Sequence, residues 1–247
     1  MQPSMIALMN NAALLLVLSV IYQLTNFINK KYTRIKQIVN GLLIALVCIA
    51  IMSMPYTLYP GVVFDTRSIL ISVTALVFGP IPTIITMIAA IVFRILQGGT
   101  GAMPGVAVII FSAVIGSVWR LWIHSRATKL RWLNVYGMSL LVHIVMIACM
   151  SLLPYPANVN VIHVITLPVL LIYPIASVLL YLLLTQLQKY FRVQDQLKQS
   201  EERFRLLFDN APLGYQFLDI DGHIIEVNQQ WLDSFGFSRD EVIGKWF

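Results

Sequence analysis

Acidic residues are almost absent from most of this chain. The 247 residues include 11 Asp and Glu side chains, yet Asp65 is the one acidic residue that precedes Asp195. Charged residues make up 11% of the sequence and the apolar set 58%, whereas soluble globular domains carry about 25% charged residues. This composition excludes an ordinary soluble domain and predicts a membrane protein up to about Leu184.

Residues arranged for catalysis or metal binding are also lacking. Cys48 and Cys149 lie in separate apolar runs without metal-ligand spacing. His143 is a lone histidine in an apolar run, and no partner for it is identifiable. Paired carboxylates, a nucleophile beside a base and a phosphate-binding loop are all missing. We therefore predict no catalytic residue, no metal site and no cofactor in this chain, and the sequence leaves the activity of the parent protein open.

Basic residues are frequent before Leu184, and most of them form two clusters. The clusters are Lys30, Lys31, Arg34 and Lys36, then Arg120, Arg126, Lys129 and Arg131. Lys and Arg near membrane helices are retained on the cytoplasmic side. The net charge of +6 therefore indicates membrane orientation rather than binding to nucleic acid. With the crossings below, it predicts a multi-pass protein of the inner (plasma) membrane, with the N-terminus outside and the C-terminus in the cytoplasm.

Seven apolar runs approach the length of about 20 residues that a transmembrane helix needs. They are residues 5–24, 41–58, 62–79, 82–96, 105–123, 134–153 and 163–184. Runs 62–79 and 82–96 should form a hairpin, because Gly79 and Pro80 interrupt the helix between them. The predicted fold for residues 1–186 is a polytopic all-α membrane bundle of six to seven crossings, surrounded by membrane lipid.

Three ionisable residues lie within the predicted membrane helices, where charge is costly. They are Asp65, Arg67 and Arg94, and the predicted topology places all three near the outer face. In one interpretation Asp65 pairs with one arginine and the other extends to the interface. In the other, they form an outward pocket for a small anionic or polar ligand. Gly98 and Gly99 could let backbone amides approach that ligand, or they could form a flexible turn.

A heptad spacing begins where the last membrane helix ends. Its positions are Leu183, Leu187, Tyr190, Gln194, Leu197, Glu201, Phe204 and Phe208. The spacing fits a single amphipathic helix that covers its own domain. It also fits a parallel two-stranded linker of a homodimer over residues 187–203, which would carry helix movement out of the membrane. We favour the linker, in which Leu187, Tyr190, Leu197 and Phe204 transmit the signal.

Residues 204–247 have the pattern of a soluble α/β domain. Two strands at 215–218 and 224–227 are predicted on either side of a hairpin turn at 219–222. A helix should follow at 229–235. Ser238 and Glu241 have the spacing of a capping box that opens another helix.

Short motifs of the membrane region resemble the bacterial five-transmembrane receptor family of the LytS-YhcK type. The motifs are Asp65-x-Arg67, Phe78-Gly79-Pro80, and Arg94 followed by Gly98-Gly99. The resemblance covers roughly residues 30–186 and implies a receptor. Asp rather than Asn at position 65 resembles the branch linked to cyclic-dinucleotide enzymes. It therefore implies a diguanylate cyclase or phosphodiesterase as the output domain, with a histidine kinase as the alternative.

The last part of the chain is similar to the start of a PAS domain, a module for sensing and dimerisation. The matching motifs are Phe208-Asp209-Asn210-Ala211-Pro212-Leu213-Gly214, Asp219-x-Asp221-Gly222, Glu226-Val227-Asn228-x-x-Trp231, and Phe235-Gly236-Phe237-Ser238. Several strands of such a domain would follow Phe247. We therefore expect an incomplete α/β PAS domain and an output domain that this sequence does not contain.

Three functions are compatible with these features. The favoured one is the input module of a bacterial signal-transduction protein. A transporter-like small-molecule binding subunit would also be polytopic with an outward pocket, but it would not need the linker or the PAS-like part. A membrane anchor for a soluble enzyme would leave the three intramembrane charges with no role beyond pairing.

Overall fold

A computed structural model of the chain describes residues 17–18, 33–54, 56–59, 62–125 and 131–246. Its helices are α1 (Thr33–Ser53), α2 (Arg67–Val77), α3 (Pro80–Gln97), α4 (Ala102–Ser125), α5 (Trp132–Cys149), α6 (Ala157–Asp209), α7 (Gln229–Phe235) and α8 (Arg239–Val242). Its strands are β1 (Tyr56–Tyr59), β2 (Val62–Phe64), β3 (Gln216–Leu218) and β4 (Ile224–Val227). The chain divides into a unit that ends at Gln188 and a second unit, Lys189–Phe247.

Five helices of the described residues are long and apolar enough to cross a membrane. They are α1, α3, α4, α5 with the 3₁₀ turn that follows it, and α6. Helix α2 has 11 residues and is about 16 Å long at 1.5 Å per residue, roughly half of the hydrocarbon thickness. The predicted helical membrane bundle is confirmed, but the prediction of six to seven crossings exceeds the five that the described residues contain. Of the predicted crossing 5–24, all but Val17 and Leu18 lies outside the described residues.

A β-hairpin shortens the predicted helix 62–79, so this run does not form a full crossing. Strands β1 and β2 pair antiparallel, with Tyr56 opposite Phe64 and Thr57 opposite Val63. The predicted helices 41–58 and 62–79 both extended into this hairpin, and both predictions were wrong there. Tyr, Thr, Val and Phe favour strands, and Pro55 and Pro60 disfavour a continuing helix. Helix α1 instead begins earlier, inside the first basic cluster.

Helix α2 lies at the centre of the membrane bundle. Ten of its 11 residues, from Arg67 to Leu76, are buried. It packs chiefly against α4, while α1 packs against α3. Close approach depends on glycine, since a Cβ on Gly116 would lie 2.6 Å from the carbonyl oxygen of Ser72. Small residues at such crossings let membrane helices approach backbone to backbone.

The two ends of the bundle differ in their polar contacts. At one end the Gln97 Nε2 donates a hydrogen bond to the carbonyl oxygen of Met52, 2.7 Å away, so α1 and α3 end together. At the other end Arg120 Nη1 donates to the carbonyls of Leu76 and Val77. This guanidinium satisfies carbonyls at the C-terminus of α2, where a cation is favoured. The antiparallel pair α2–α3 predicted around Gly79 and Pro80 agrees with this arrangement.

Helix α6 is a single element of 53 residues, about 80 Å long. It contains Pro168 and Pro174, and it continues without interruption through the predicted linker 187–203. Its C-terminal half carries exposed apolar side chains at Tyr190, Val193, Leu197, Phe204 and Leu207.

The second unit has a small core around a β-hairpin. Strands β3 and β4 pair antiparallel, and the core residues are Ile224, Val227, Trp231, Leu232 and Val242. The predicted capping box is present, because Glu241 accepts hydrogen bonds from the amide and the hydroxyl of Ser238, both 2.8 Å away. These hydrogen bonds, chiefly the one from the amide, lower the pKa of Glu241.

Asn228 joins four segments of the second unit. Its Oδ1 accepts hydrogen bonds from the amides of Tyr215, at 2.8 Å, and Trp231, at 3.0 Å. Its Nδ2 donates to the carbonyls of Phe208 and Leu213, each at 2.9 Å. The side chain is fully buried and its donors and acceptor are all used. It therefore holds the end of α6 to the start of β3 and to α7.

Candidate ligand-binding site

The three charged residues of the membrane region meet at the end of the bundle where α1 and α3 end. Asp65 lies between β2 and α2, Arg67 is the first residue of α2, and Arg94 is in the last turn of α3. All three are buried, with exposed fractions of 4%, 7% and 2%. The three residues therefore lie at the same end of the bundle, and their joint role in binding stays a prediction.

Asp65 and Arg67 form a local pair. The Asp65 Oδ1 accepts a hydrogen bond from the Arg67 amide at 3.0 Å and lies 3.4 Å from Arg67 Nε. A carboxylate at a helix N-terminus also interacts favourably with the helix dipole. Asp65 thus neutralises one arginine while starting α2.

Arg94 is held separately from this pair. Its Nη1 donates to the Gln97 Oε1 at 3.2 Å, and Gln97 in turn donates to Met52 on α1. A Cβ on Gly105 would lie 2.6 Å from Arg94 Nε. A side chain at position 105 would therefore force the Arg94 side chain to shift.

Four polar atoms of this site are buried and have no hydrogen-bond partner within the described part of the chain. They are Asp65 Oδ2, Thr66 Oγ1, Arg67 Nη1 and Arg94 Nε. A buried polar group left unpaired costs about 1–3 kcal/mol, and more if it is charged. Two arginines and one aspartate leave a formal charge of +1. The arrangement therefore favours a partner that brings hydrogen-bond acceptors and negative charge.

Gly98 and Gly99 form the turn that follows Arg94. Their φ angles of 65° and 84° lie in the left-handed region that favours glycine. The Gly98 amide donates to the carbonyl oxygen of Ile95 at 3.1 Å. This geometry accounts for Gly98 as a turn residue, and ligand contact by either glycine stays a prediction.

Sequence reasoning missed the polar residues that surround this site on other helices. The sequence indicated no partner for His143, but its Nε2 atom lies 3.2 Å from the Oγ atom of Ser68. Tyr173 donates its hydroxyl hydrogen to the carbonyl oxygen of Asp65 at 3.4 Å. Ser68, Tyr173 and Gln97 carry no sequence signal of function, because their importance arises from contacts between distant helices. Position 68 does follow Asp65-x-Arg67 directly, which is the one available hint.

A possible metal centre is a separate question from the charges at this end of the bundle. No group of three or more His, Cys, Asp or Glu side chains that could hold a metal occurs among the described residues. The fold is thus that of a polytopic membrane protein with a buried cationic site at one end of its bundle. One of its helices extends beyond the membrane region into a small α/β unit.

Comparison with known protein families identifies the families to which the two parts of the chain are similar. Residues 11–187 match the family described as 5TMR of 5TMR-LYT, and residues 202–247 match the PAS domain. The chain therefore belongs to the 5TMR-LYT family of membrane domains, followed by part of a PAS domain, as the resemblance implied. No curated protein and no solved structure matches the chain.

The buried charge pair makes a first prediction about stability. Asp65→Ala should lower the free energy of unfolding by about 3–5 kcal/mol, because it leaves two buried arginines without a counter-charge. Asp65→Ala combined with Arg67→Met should lower the free energy of unfolding by a smaller amount, because no unpaired charge remains at position 67. Chemical denaturation in detergent micelles measures both values. Equal losses in the single and double variants would show that the pair is not electrostatically coupled.

Proposed function

We propose that this chain is the membrane input module of a bacterial signal-transduction protein. The observation that carries the proposal is the continuity of α6, which runs from Ala157 in the membrane region to Asp209 within the PAS match. A membrane sensor needs a mechanical path of this kind, whereas a transporter-like binding subunit does not. A cue that binds one arrangement of the bundle better than another would shift the position of α6.

The cue at the Asp65, Arg67 and Arg94 site is a small anion. Two observations support this assignment: the site has a net positive charge, and Arg67 Nη1 and Arg94 Nε are buried with no hydrogen-bond partner among the described residues. The planar guanidinium groups are suited to a carboxylate or a phosphate, which they can bind through two parallel hydrogen bonds. The low-dielectric surroundings strengthen such a contact.

The site faces the outside of the inner (plasma) membrane. Arg34 and Lys36 lie in the first turn of α1, and Arg120 lies at the same end of the bundle because it contacts the end of α2. Asp65, Arg67 and Arg94 lie at the opposite end. Basic residues are retained in the cytoplasm, so this distribution supports an outer site, a cytoplasmic C-terminus and an N-terminus outside.

The protein acts as a homodimer through the second half of α6. Tyr190, Leu197 and Phe204 are spaced by seven residues and are exposed, Leu197 by 61%. Exposed apolar side chains at heptad spacing fit a parallel two-stranded coiled coil. Leu187 lies one turn before this series. A second copy of the chain is the partner that the spacing favours.

The output of the whole protein is a cyclic-dinucleotide enzyme, a diguanylate cyclase or phosphodiesterase. Asp65 supports this choice, because aspartate at this position resembles the branch of the family linked to those enzymes. A sensor histidine kinase, as in a two-component system, is the second candidate. The PAS match at residues 202–247 is compatible with both.

Anions should stabilise the protein through the two arginines. Acetate, succinate and inorganic phosphate are suitable probes, and thermal unfolding of the purified full chain in lipid nanodiscs is the measurement. At one hundred times its dissociation constant, a bound anion should add about 2.7 kcal/mol. Arg67→Ala and Arg94→Ala should each lose most of this gain. Arg120→Ala is the matched control, since Arg120 lies at the other end and should leave the gain unchanged. A gain that is equal in all three variants would contradict the site.

Disulfide cross-linking tests the dimer. In a background with Cys48 and Cys149 replaced by alanine, Leu197→Cys should form a cross-linked dimer in membranes at least tenfold faster than Gln199→Cys. Position 199 is also exposed but lies on the outer side of the heptad. Similar rates at both positions would indicate random collision rather than the proposed seam.

A further inference from the structure

A buried histidine connects α5 to the start of α2. His143 is fully buried, and its Nδ1 lies 2.6 Å from the carbonyl oxygen of Ser139. A carbonyl only accepts hydrogen bonds, so Nδ1 carries the hydrogen and Nε2 carries the lone pair. The Ser68 hydroxyl therefore donates to Nε2, at 3.2 Å. Ser68 directly follows Arg67 of the ligand-binding site.

Further hydrogen bonds connect Ser139 to α6. The Ser139 hydroxyl donates to Ser177 Oγ at 2.7 Å, and the Ser177 hydroxyl donates to the carbonyl oxygen of Tyr173 at 2.9 Å. The Tyr173 ring meets the His143 ring edge-on, with centroids 5.1 Å apart. Its hydroxyl donates to the carbonyl oxygen of Asp65.

These contacts form a closed loop that leaves the site at position 68 and returns to it at position 65. We name it the polar ring: Asp65, Ser68, Ser139, His143, Tyr173 and Ser177. Each member is at most 7% exposed, so water does not compete for its hydrogen bonds. In such surroundings hydrogen bonds are stronger, and losing one is costly. A shift of the segment 65–68 must therefore strain or move the contacts on α6.

Helix α6 is weakened where the polar ring meets it. Pro174 lies between Tyr173 and Ser177 and lacks an amide hydrogen, so the carbonyl of Leu170 loses its usual helical donor. The hydrogen bond from the Ser177 hydroxyl to its own helix four residues back is a contact that often bends helices. The helix is therefore weakened here, as it also is around Pro168, and this part contains two residues that the polar ring holds.

We propose that His143 and Tyr173 are the positioning residues that couple the ligand-binding site to α6. This inference rests on the proposed receptor function and adds the path by which the site acts. Occupation of the arginines changes the position of residues 65–68, and the polar ring transfers that change to α6 at Pro174. The physical basis is a single network that contacts both the site and a deformable point of the signalling helix.

A merely structural role for the polar ring would lower stability without altering communication. The chain offers two matched controls for this distinction. Tyr181 is also a buried tyrosine of α6, 8% exposed against 7% for Tyr173, but it is not a member of the polar ring. Ser72 is a buried serine of α2, like Ser68, but its hydroxyl donates to the carbonyl oxygen of Ile69 in its own helix.

A double-mutant cycle with the Leu197→Cys cross-link measures the communication. Arg94→Ala perturbs the site without touching the polar ring. It should change the cross-linking rate at least fivefold, the lower range of typical allosteric couplings. In a Tyr173→Phe or Ser68→Ala background this response should fall below twofold. In Tyr181→Phe and Ser72→Ala backgrounds it should stay at least fivefold. Tyr173→Phe keeps the aromatic ring and Ser68→Ala is small, so either variant suffices if the other misfolds.

The possible outcomes distinguish a failure of this inference from a failure of the receptor proposal. A full response in the Tyr173→Phe and Ser68→Ala backgrounds would overturn the inference and leave the receptor proposal standing. No response to Arg94→Ala in any background, or no cross-link at Leu197, would contradict the receptor proposal and the inference together. A response lost equally in the control backgrounds would show general destabilisation, and it would also overturn the inference.

Discussion

The pairing of Asp65 with Arg67 in a nearly water-free bundle is the constraint on which this architecture depends. A buried charge is tolerated only with a partner, and Asp65 just before α2 pairs with Arg67, the first residue of that helix. This lets a helix of 11 residues begin with a charged residue that is buried. Arg94 then has no acidic partner of its own among the described residues, and the site becomes cationic. Burial of the start of α2 therefore produces both the site and its net positive charge.

Much of this arrangement was predictable because it follows from charge and hydropathy. The position of Asp65, Arg67 and Arg94 at one end of the bundle could be predicted from the spacing of apolar runs and basic clusters alone. The capping box of Ser238 and Glu241 could be read directly from local spacing. Such features depend on residues close in sequence, or on the strong penalty for charge in lipid.

The remaining features depend on contacts that a single sequence does not encode locally. The hairpin of β1 and β2 was read as helix because apolar β-branched and aromatic residues fit both structures in short runs. His143 looked isolated because Ser68 is 75 residues away in the chain. Likewise, nothing near Tyr173 indicates that its hydroxyl reaches Asp65. These contacts are determined by tertiary packing and cannot be predicted from the spacing of residues in the sequence.

Helix α6 has two roles, since it closes the membrane bundle and continues into the second unit. The central claim is that an anion at Arg67 and Arg94 changes the arrangement of this helix in the dimer. Pulsed electron paramagnetic resonance between spin labels at position 197 of two copies tests it most directly, with and without the tightest-binding anion. The account predicts a shifted distance distribution that Arg94→Ala abolishes. Anion binding at the arginines with an unchanged distribution would contradict it.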